Sequence, residues 1–185
     1  TTTGIRLIQT GNIGVGTFID RNKKYISSES FNLLKCKDVL AGDILICRLA
    51  DPIGRSCIVP DLGSRAITSV DVCILRVAST KYDRDFIAQV LNQATFLAAC
   101  EEKSGGSTRQ RISRINLGAV QIAVAKNKAE QSDIARILSE ADVVIQRKQA
   151  VLDKLRSFKT ALMQDLLTGK VRVTPLLEPA EEATT

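Results

Sequence analysis

The chain has 185 residues, with 26 Lys and Arg against 20 Asp and Glu, five cysteines and no histidine. Without an imidazole, catalytic triads and general-base schemes that depend on histidine are excluded, and the cysteines show neither a C-x-x-C pair nor a histidine to complete a zinc site. No apolar run approaches the roughly eighteen residues of a membrane span, and widely spaced cysteines in apolar runs are typical of reduced thiols. We therefore expect a cytoplasmic protein with reduced thiols, no zinc site, no cofactor and no membrane association.

The positive charge is concentrated in the first part of the chain. Residues 1–128 contain 18 Lys and Arg against 11 Asp and Glu, whereas the remaining residues contain 8 against 9. A basic globular part indicates a polyanionic partner. The chain starts at Thr1 and its only methionine is Met163, so we interpret the sequence as a fragment or a trimmed product.

Short strands separated by turn residues are predicted for the first part of the chain. They cover residues 5–8, 17–19, 25–26, 44–48, 57–59, 66–68 and 70–77, with a short helix at residues 28–34. Gly11, Gly14 and Gly16 are spaced somewhat like a phosphate-binding loop, but no helical pattern follows them, so a hairpin is the favoured interpretation. No segment between the strands is long enough for a helical crossover, which indicates a mixed or antiparallel sheet.

A helix and a polar loop are predicted after the strands. Apolar residues at helical spacing predict the helix over residues 83–101, and the polar loop follows at residues 103–111. Its glycines permit close backbone approach to a ligand and its arginines offer planar donor forks, so the loop can reach phosphates and base edges. The alternative is an exposed, solvated turn. Residues 112–116 are predicted as a turn or cap, and residues 120–124 as a last strand.

One long amphipathic helix is predicted near the end of the chain. From residue 129 to residue 167 apolar residues recur with a helical period, without proline or glycine. Asn127 with Glu130 is predicted to cap its start and Gly169 to end it. The predicted interface residues share one stripe: Ile134, Ile137, Leu138, Ala141, Val144, Ile145, Val151, Leu152, Leu155, Phe158, Leu162 and Leu166.

The predicted helix is about 58 Å long, longer than the preceding domain is wide. We therefore favour an antiparallel coiled coil with a second copy or a second half of the same kind, over a helix folded back on its own domain. The predicted fold is α+β: a small mixed or antiparallel sheet domain with short helices, then one long C-terminal coiled-coil helix. Its parts are a domain at residues 1–126, the helix at residues 127–169 and a flexible tail at residues 170–185.

Several segments, in order, resemble the specificity subunit of type I restriction-modification systems. Residues 4–13 resemble the early strand of a target recognition domain, residues 40–48 with Ile53 and Gly54 its central motif, and residues 106–108 with Ile112 and Ser113 the loop near its end. Residues 130–138 and 162–173 closely resemble the conserved helix and its exit. Two features differ from the family pattern: the approach to the helix is not proline-rich, and the first strands of the domain are missing.

The resemblance implies a non-catalytic half unit with one recognition domain and one helix. A full specificity subunit has two recognition domains held apart by two antiparallel helices, and it recruits modification and restriction subunits. The implied partners are double-stranded DNA, the methyltransferase and restriction subunits, and a second copy or second half through the helix. The absence of an Asn-Pro-Pro-Tyr methyltransferase signature and of a Walker loop agrees with a subunit that does no chemistry.

The candidate DNA contacts are basic or polar residues near the predicted turns and loops. Lys and Arg would neutralise phosphates, while a few loop side chains would read bases in the major groove. The candidates are Arg48, Arg55, Arg65, Lys103, Thr108, Arg109, Gln110, Arg111 and Arg114. Two other functions remain open at this point. One is a coiled-coil assembly adaptor, and the other is a metal-dependent nuclease that uses Asp61, Glu101 and Lys103.

Overall fold

The structure of the protein is a computed structural model that describes residues 3–173. The chain divides into two compact units, Thr1–Leu138 and Ser139–Thr185, so the division falls inside the long helix. The domain boundary predicted after residue 126 stays a prediction. Most of the predicted tail, residues 174–185, lies outside the described residues.

Six short strands form two three-stranded sheets in the N-terminal unit. They are β1 (Ile5–Ile8), β2 (Lys24–Ile26), β3 (Ile44–Cys47), β4 (Ser56–Ile58), β5 (Ala66–Thr68) and β6 (Val72–Leu75). In the first sheet β1 lies between β2, which is antiparallel to it, and β5, which is parallel. In the second sheet β3 lies between β4 and β6, both antiparallel to it. The predicted α+β class with mixed and antiparallel pairing is confirmed.

Five α-helices complete the described fold, and three of them, the first, the second and the last, start close to their predicted positions. They are α1 (Ser28–Leu33), α2 (Arg84–Leu91), α3 (Ala94–Glu102), α4 (Arg114–Gly118) and α5 (Lys128–Leu167). Ser27, Asp83 and Ser113 cap α1, α2 and α4, because the side chain of each accepts a hydrogen bond from a first-turn amide. None of the described helices is long and apolar enough to cross a membrane.

Four predicted elements differ from the structure. The strand predicted at residues 17–19 is only an isolated bridge between Ile13 and Phe18, and α4 forms where a turn or cap was predicted at residues 112–116. The single helix predicted over residues 83–101 is broken between α2 and α3, because Asn92 turns its side chain to β4 instead of continuing the helix. Its amide accepts a hydrogen bond from Ser56 N (3.0 Å) and donates to Ser56 O (3.1 Å) and Ala88 O (2.9 Å). The strand predicted at residues 120–124 is an irregular segment whose Val120, Ile122 and Val124 still pack against the core.

Strand β3 is the centre of the N-terminal unit because it is buried on both faces. Ile44 and Ile46 point into a core that includes Phe86 and Cys100 of α2 and α3. Leu45 and Cys47 point into a second core with β1 and β4. All four residues of β3 are at most 6% exposed, which agrees with its continuous apolar sequence.

The first two turns of α5 are fixed to the N-terminal unit. Asn127 caps the helix by accepting a hydrogen bond from Ala129 N (2.9 Å). Gln131 is only 1% exposed, and its amide accepts from Asp83 N (2.8 Å) and donates to Ala125 O (2.7 Å). Because both polar ends of this buried side chain are paired, Gln131 joins α5 to the start of α2 without an unsatisfied group.

The end of α5 lies at the predicted glycine. Gly169 has a φ of 70°, and its amide donates to Leu166 O (3.2 Å), while Val171 N donates to Asp165 O (3.0 Å). This left-handed residue followed by a backward hydrogen bond is a common way to end a helix, and it favours glycine. The predicted stop is therefore confirmed.

Candidate nucleic-acid interface

The polar loop between α3 and α4 is closed at its base by backbone hydrogen bonds. Gly105 N donates to Arg111 O (3.0 Å), and Arg111 N donates to Gly105 O (2.9 Å). Gly106 has a φ of 110°, and a Cβ at this position would lie 2.7 Å from Arg109 O. Residues 104–111, which we call the tip loop, therefore have a defined conformation that requires glycine at one position.

The base of the tip loop is attached to the end of β3. Ile112 N donates to Arg48 O (3.0 Å), and the Arg48 guanidinium donates back to Ile112 O (3.3 Å). The same guanidinium donates to Val70 O (2.5 Å), and Arg48 is only 6% exposed. Arg48 therefore acts inside the domain, as a link between β3, the tip loop and the turn before β6.

Asp71 adds an electrostatic contact to this attachment. Its carboxylate lies 2.8 Å from the exposed guanidinium of Arg111 and 3.7 Å from that of Arg48. Arg109, two residues before Arg111, forms no ion pair within residues 3–173. The guanidinium of Arg109 is thus available for an external anion, whereas that of Arg111 already has a carboxylate partner.

Arg55 supports the opposite side of the site. Its guanidinium donates to the carbonyl oxygens of Ile13 (2.7 Å), Leu49 (3.0 Å), Pro52 (3.0 Å) and Thr10 (3.2 Å). These bonds connect the segment after β1 to the segment after β3. Arg55 therefore holds two backbone segments beside the tip loop, and most of its donors are used within the domain.

The tip loop and these two segments border an open groove with a volume of about 340 Å³. We call it the loop groove, and its lining residues are Thr10, Leu49, Ala50, Ser107, Thr108, Arg109 and Gln110. Arginine and glutamine are suited to bidentate hydrogen bonds with guanine and adenine, and threonine can contact either a base or a phosphate. The chemistry of this lining fits a nucleic-acid edge better than an apolar small molecule.

The structure gathers some of the predicted DNA contacts and separates others. Thr108, Arg109 and Gln110 line the loop groove, with Arg111 and Lys103 at the ends of the tip loop and Arg48 and Arg55 beneath it. Arg65 lies elsewhere, directly before β5, where its guanidinium donates two hydrogen bonds of 2.6 and 2.8 Å to the carboxylate of Asp38. Arg114 lines a different groove. The predicted DNA contacts stay predictions.

The predicted contacts omit four residues that line the loop groove: Thr10, Leu49, Ala50 and Ser107, the last of which lies within the predicted polar loop. Leu49 and Ala50 follow β3 directly, so the end of the predicted strand is the signal that could have identified them. Thr10 lies two residues after β1, and its carbonyl oxygen accepts a hydrogen bond from Arg55, 45 residues away, a contact that no local pattern predicts.

The predicted interface residues of the long helix are largely exposed within this chain. Ile134 packs partly against the core, and Leu166 is half-buried. Nine of the remaining predicted interface residues, from Ile137 to Leu162, are large apolar side chains that are exposed. Ile145, Leu155 and Phe158, for example, are 63%, 59% and 62% exposed. Each part of the stripe from residue 137 onward is therefore left uncovered by the described residues of its own unit.

Burial keeps the thiols of Cys57 and Cys100 protonated. It raises the pKa of Cys57 to about 12 and that of Cys100 to about 11.

The residues of the nuclease alternative lie in separate elements. Asp61 lies in an exposed turn where it accepts a hydrogen bond from Gly63 N (2.9 Å), and Glu101 lies near the end of α3. Within residues 3–173, no three acidic, cysteine or histidine side chains form a group that could hold a metal ion.

Comparison with known proteins finds a similar fold in solved structures from type I restriction-modification systems. No family model matches the sequence. The S subunit of the type I restriction-modification system from M. genitalium matches with a TM-score of 0.57 and 16% identity over 89% of this chain and 39% of its own. The HsdS subunit from Thermoanaerobacter tengcongensis matches with a TM-score of 0.62 and 13% identity over 88% of this chain and 42% of its own.

A third match is a chain from a structure that describes complex assembly and conformational transition of the type I R-M system. It has a TM-score of 0.62 and 13% identity, over 100% of this chain and 45% of its own. The chain thus spans less than half the length of each of these proteins. The predicted resemblance is confirmed at the level of the fold: the chain has the fold of one half of a type I restriction-modification S subunit.

Proposed function

We propose that this chain is a non-catalytic specificity half unit that recognises one half of a bipartite DNA target in a type I restriction-modification complex. The observation that carries this proposal is the tip loop. It is held by its own backbone bonds and by β3, and it presents polar side chains along an open groove. A preformed loop of this kind does not lose much conformational entropy when it binds.

The residues of the site divide into two roles. Three tip-loop side chains would contact base edges and phosphates in a DNA major groove: Thr108, Arg109 and Gln110. The charges of Lys103 and Arg111 would lie near the sugar-phosphate backbone of the DNA. Arg48 and Arg55 have a structural role, because their guanidinium groups donate hydrogen bonds to backbone carbonyl oxygens of the segments around the tip loop. One domain contacts few phosphates, so the chain alone should bind DNA weakly and with a strong dependence on salt.

The long helix would supply the spacing and the assembly contacts. Its uncovered apolar stripe supports pairing with a second copy or a second half, and the modification and restriction subunits would dock on the resulting helix pair. Each Leu or Ile buried in such an interface contributes about 1.5–3 kcal/mol, so a stripe of this length is sufficient for a stable pair.

Selection of DNA targets by the complete complex tests the proposal. Random duplexes are methylated and sequenced with the wild-type chain, with Arg109→Ala plus Gln110→Ala, and with Arg84→Ala as a control that removes an exposed arginine of α2. We expect the double variant to lose base preference at one or two positions of one half-site, at about 1–3 kcal/mol per lost bidentate contact. The control should keep the wild-type preference.

A second function is favoured by the uncovered stripe alone, namely a coiled-coil assembly adaptor whose N-terminal unit binds protein. The two functions differ in one measurement. If the wild-type chain and its dimer show no salt-dependent DNA binding, and the double variant selects the same bases in the complex, the proposal of DNA recognition is wrong and the adaptor replaces it.

A further inference from the structure

A second groove of the N-terminal unit lies beside the free edge of the second sheet. Strand β6 is at the edge because the order of that sheet is β4-β3-β6. Val72, Cys73 and Ile74 of β6 all line this groove of about 480 Å³, which we call the edge groove. Successive side chains of a strand point to opposite faces, so three consecutive residues can line one groove only where the strand edge forms its wall. The backbone of β6 is therefore open to pairing with another extended chain.

The edge groove is bordered by positive charge. Lys35 and Lys37 lie on one side and Arg114, the first residue of α4, on another, and all three are exposed. None of them forms an ion pair within residues 3–173. No acidic residue lines the groove. Three unpaired cations around one opening favour an occupant that carries carboxylates or phosphates.

Exposed apolar side chains gather at the same place. Leu34 and Val70 line the edge groove and are 67% and 71% exposed, and Leu40, at 51%, lines its continuation past Lys37. The direct sequence neighbours of the lining residues include two more, Leu33 and Ile115. Among the described residues before α5, every other large apolar side chain except Val15 is at least partly covered. Contiguous exposed apolar surface marks a protein contact, whereas a phosphate backbone does not need it.

We propose that the edge groove binds an extended, acidic segment of a partner protein, which adds to β6 as a further strand. In this mode the backbone of the segment pairs with the strand edge, and its side chains point alternately to the two faces of the extended sheet. The segment should therefore alternate apolar residues, which contact Leu34 and Val70, with Asp or Glu, which face the three cations. This site is separate from the loop groove and does not require that the chain bind DNA.

A displayed library of random ten-residue peptides is the probe. It is selected in parallel on the immobilised full chain, on a variant with Lys35→Glu, Lys37→Glu and Arg114→Glu, and on a control with Lys24→Glu, Lys81→Glu and Lys126→Glu. The control reverses the same number of exposed cations outside the edge groove. Circular dichroism checks that both variants keep the fold. The most enriched peptide is then synthesised in two forms, with backbone N-methyl groups on the odd or on the even residues.

The expected result is enrichment of peptides with alternating acidic and apolar residues on the wild-type chain and the control. Binding to the charge-reversed groove variant should be about tenfold weaker or more. One N-methylated form should lose binding and the other keep it, because only alternate amides of an added strand pair with the edge. Equal enrichment on all three proteins, no enrichment at all, or equal effects of the two methylation patterns would overturn the proposal. The salt dependence of DNA binding gives a further test. If the slope of log affinity against log salt concentration falls by about 0.9 for each reversed cation of the groove variant, the edge groove contacts DNA and the proposal is wrong.

Discussion

Replacement of Gly106 by alanine tests whether the conformation of the tip loop determines sequence discrimination. Gly106 has a φ of 110°, in a region that other residues rarely occupy, and a Cβ would lie 2.7 Å from the carbonyl oxygen of Arg109. The neighbouring Gly105 is the matched control, because a Cβ there meets no atom within 4 Å and its φ is not in the left-handed region.

The size of the effect follows from the cost of the backbone conformation. A residue with a side chain at such a φ costs about 1–3 kcal/mol, so the native loop conformation becomes a minor one. Apparent affinity falls in proportion to the population of the competent conformation, which corresponds to roughly 5- to 150-fold weaker binding of the correct target. Unfolding of the N-terminal unit should change much less, because the tip loop lies outside both cores and can relax.

The assay is competition binding of the complete complex to a preferred duplex and to one with a changed half-site. Gly106→Ala should lose most of the difference between the two duplexes, while Gly105→Ala should stay within about threefold of wild type, since Gly→Ala at a compatible site has only a small effect. If Gly106→Ala discriminates as well as wild type while thermal unfolding confirms its fold, the tip loop does not determine specificity.

Three further predictions follow from other contacts. Asp71→Asn removes the carboxylate next to Arg111, so it should raise the affinity for DNA of any sequence and lower the discrimination between target and non-target duplexes. Asp38→Asn frees Arg65 instead and should leave that discrimination unchanged. Fluorescence anisotropy measures both variants, and equal discrimination by the two would contradict a role of Asp71 in specificity. Leu155→Glu should dissociate the helix pair at tens of micromolar in sedimentation, while Ser157→Glu, off the stripe, should not; a monomeric wild-type chain would contradict the pairing. Burial alone would raise the pKa of Asp43, but its bonds to Arg76 (2.7 Å) and Leu40 N (2.9 Å) hold that pKa below its usual value. A carboxyl with a lowered folded-state pKa contributes its full stabilisation above the unfolded pKa of about 3.9 and loses it as the pH falls through the folded-state pKa. Asp43→Asn should therefore cost about 2 kcal/mol at pH 7 and progressively less in strongly acid solution; a cost independent of pH would refute the charge argument.

The sequence predicts elements well where a period continues over many residues. The long helix is predicted at residues 127–169 and observed at Lys128–Leu167, because its apolar stripe, cap and terminal glycine all agree. The break between α2 and α3 is missed since it depends on Asn92 pairing with Ser56, 36 residues away. The same limit applies to residues 120–124, whose apolar residues pack on the core without a neighbouring strand to pair with.

The site is predictable as a loop but not as a set of free side chains. Glycine and arginine content identifies residues 103–111, and the structure shows that loop beside a groove. Composition cannot show whether a guanidinium is used on backbone carbonyl oxygens, as those of Arg48 and Arg55 are, or is available to a ligand, as that of Arg109 is. That distinction depends on contacts between residues far apart in the sequence, which no local pattern contains.

The length of α5 gives a last test, of whether the helix sets the spacing of the DNA target. Seven residues inserted after Gln149 keep the heptad register and lengthen the helix by about 10.5 Å, which is close to the rise of three base pairs at about 3.4 Å each. The complete complex should then methylate targets whose spacer is about three base pairs longer. A two-residue insertion rotates the apolar stripe and should damage assembly instead. Methylation of a library with varied spacers separates the outcomes: an active seven-residue variant that keeps the wild-type spacer would show that α5 serves docking and does not measure distance.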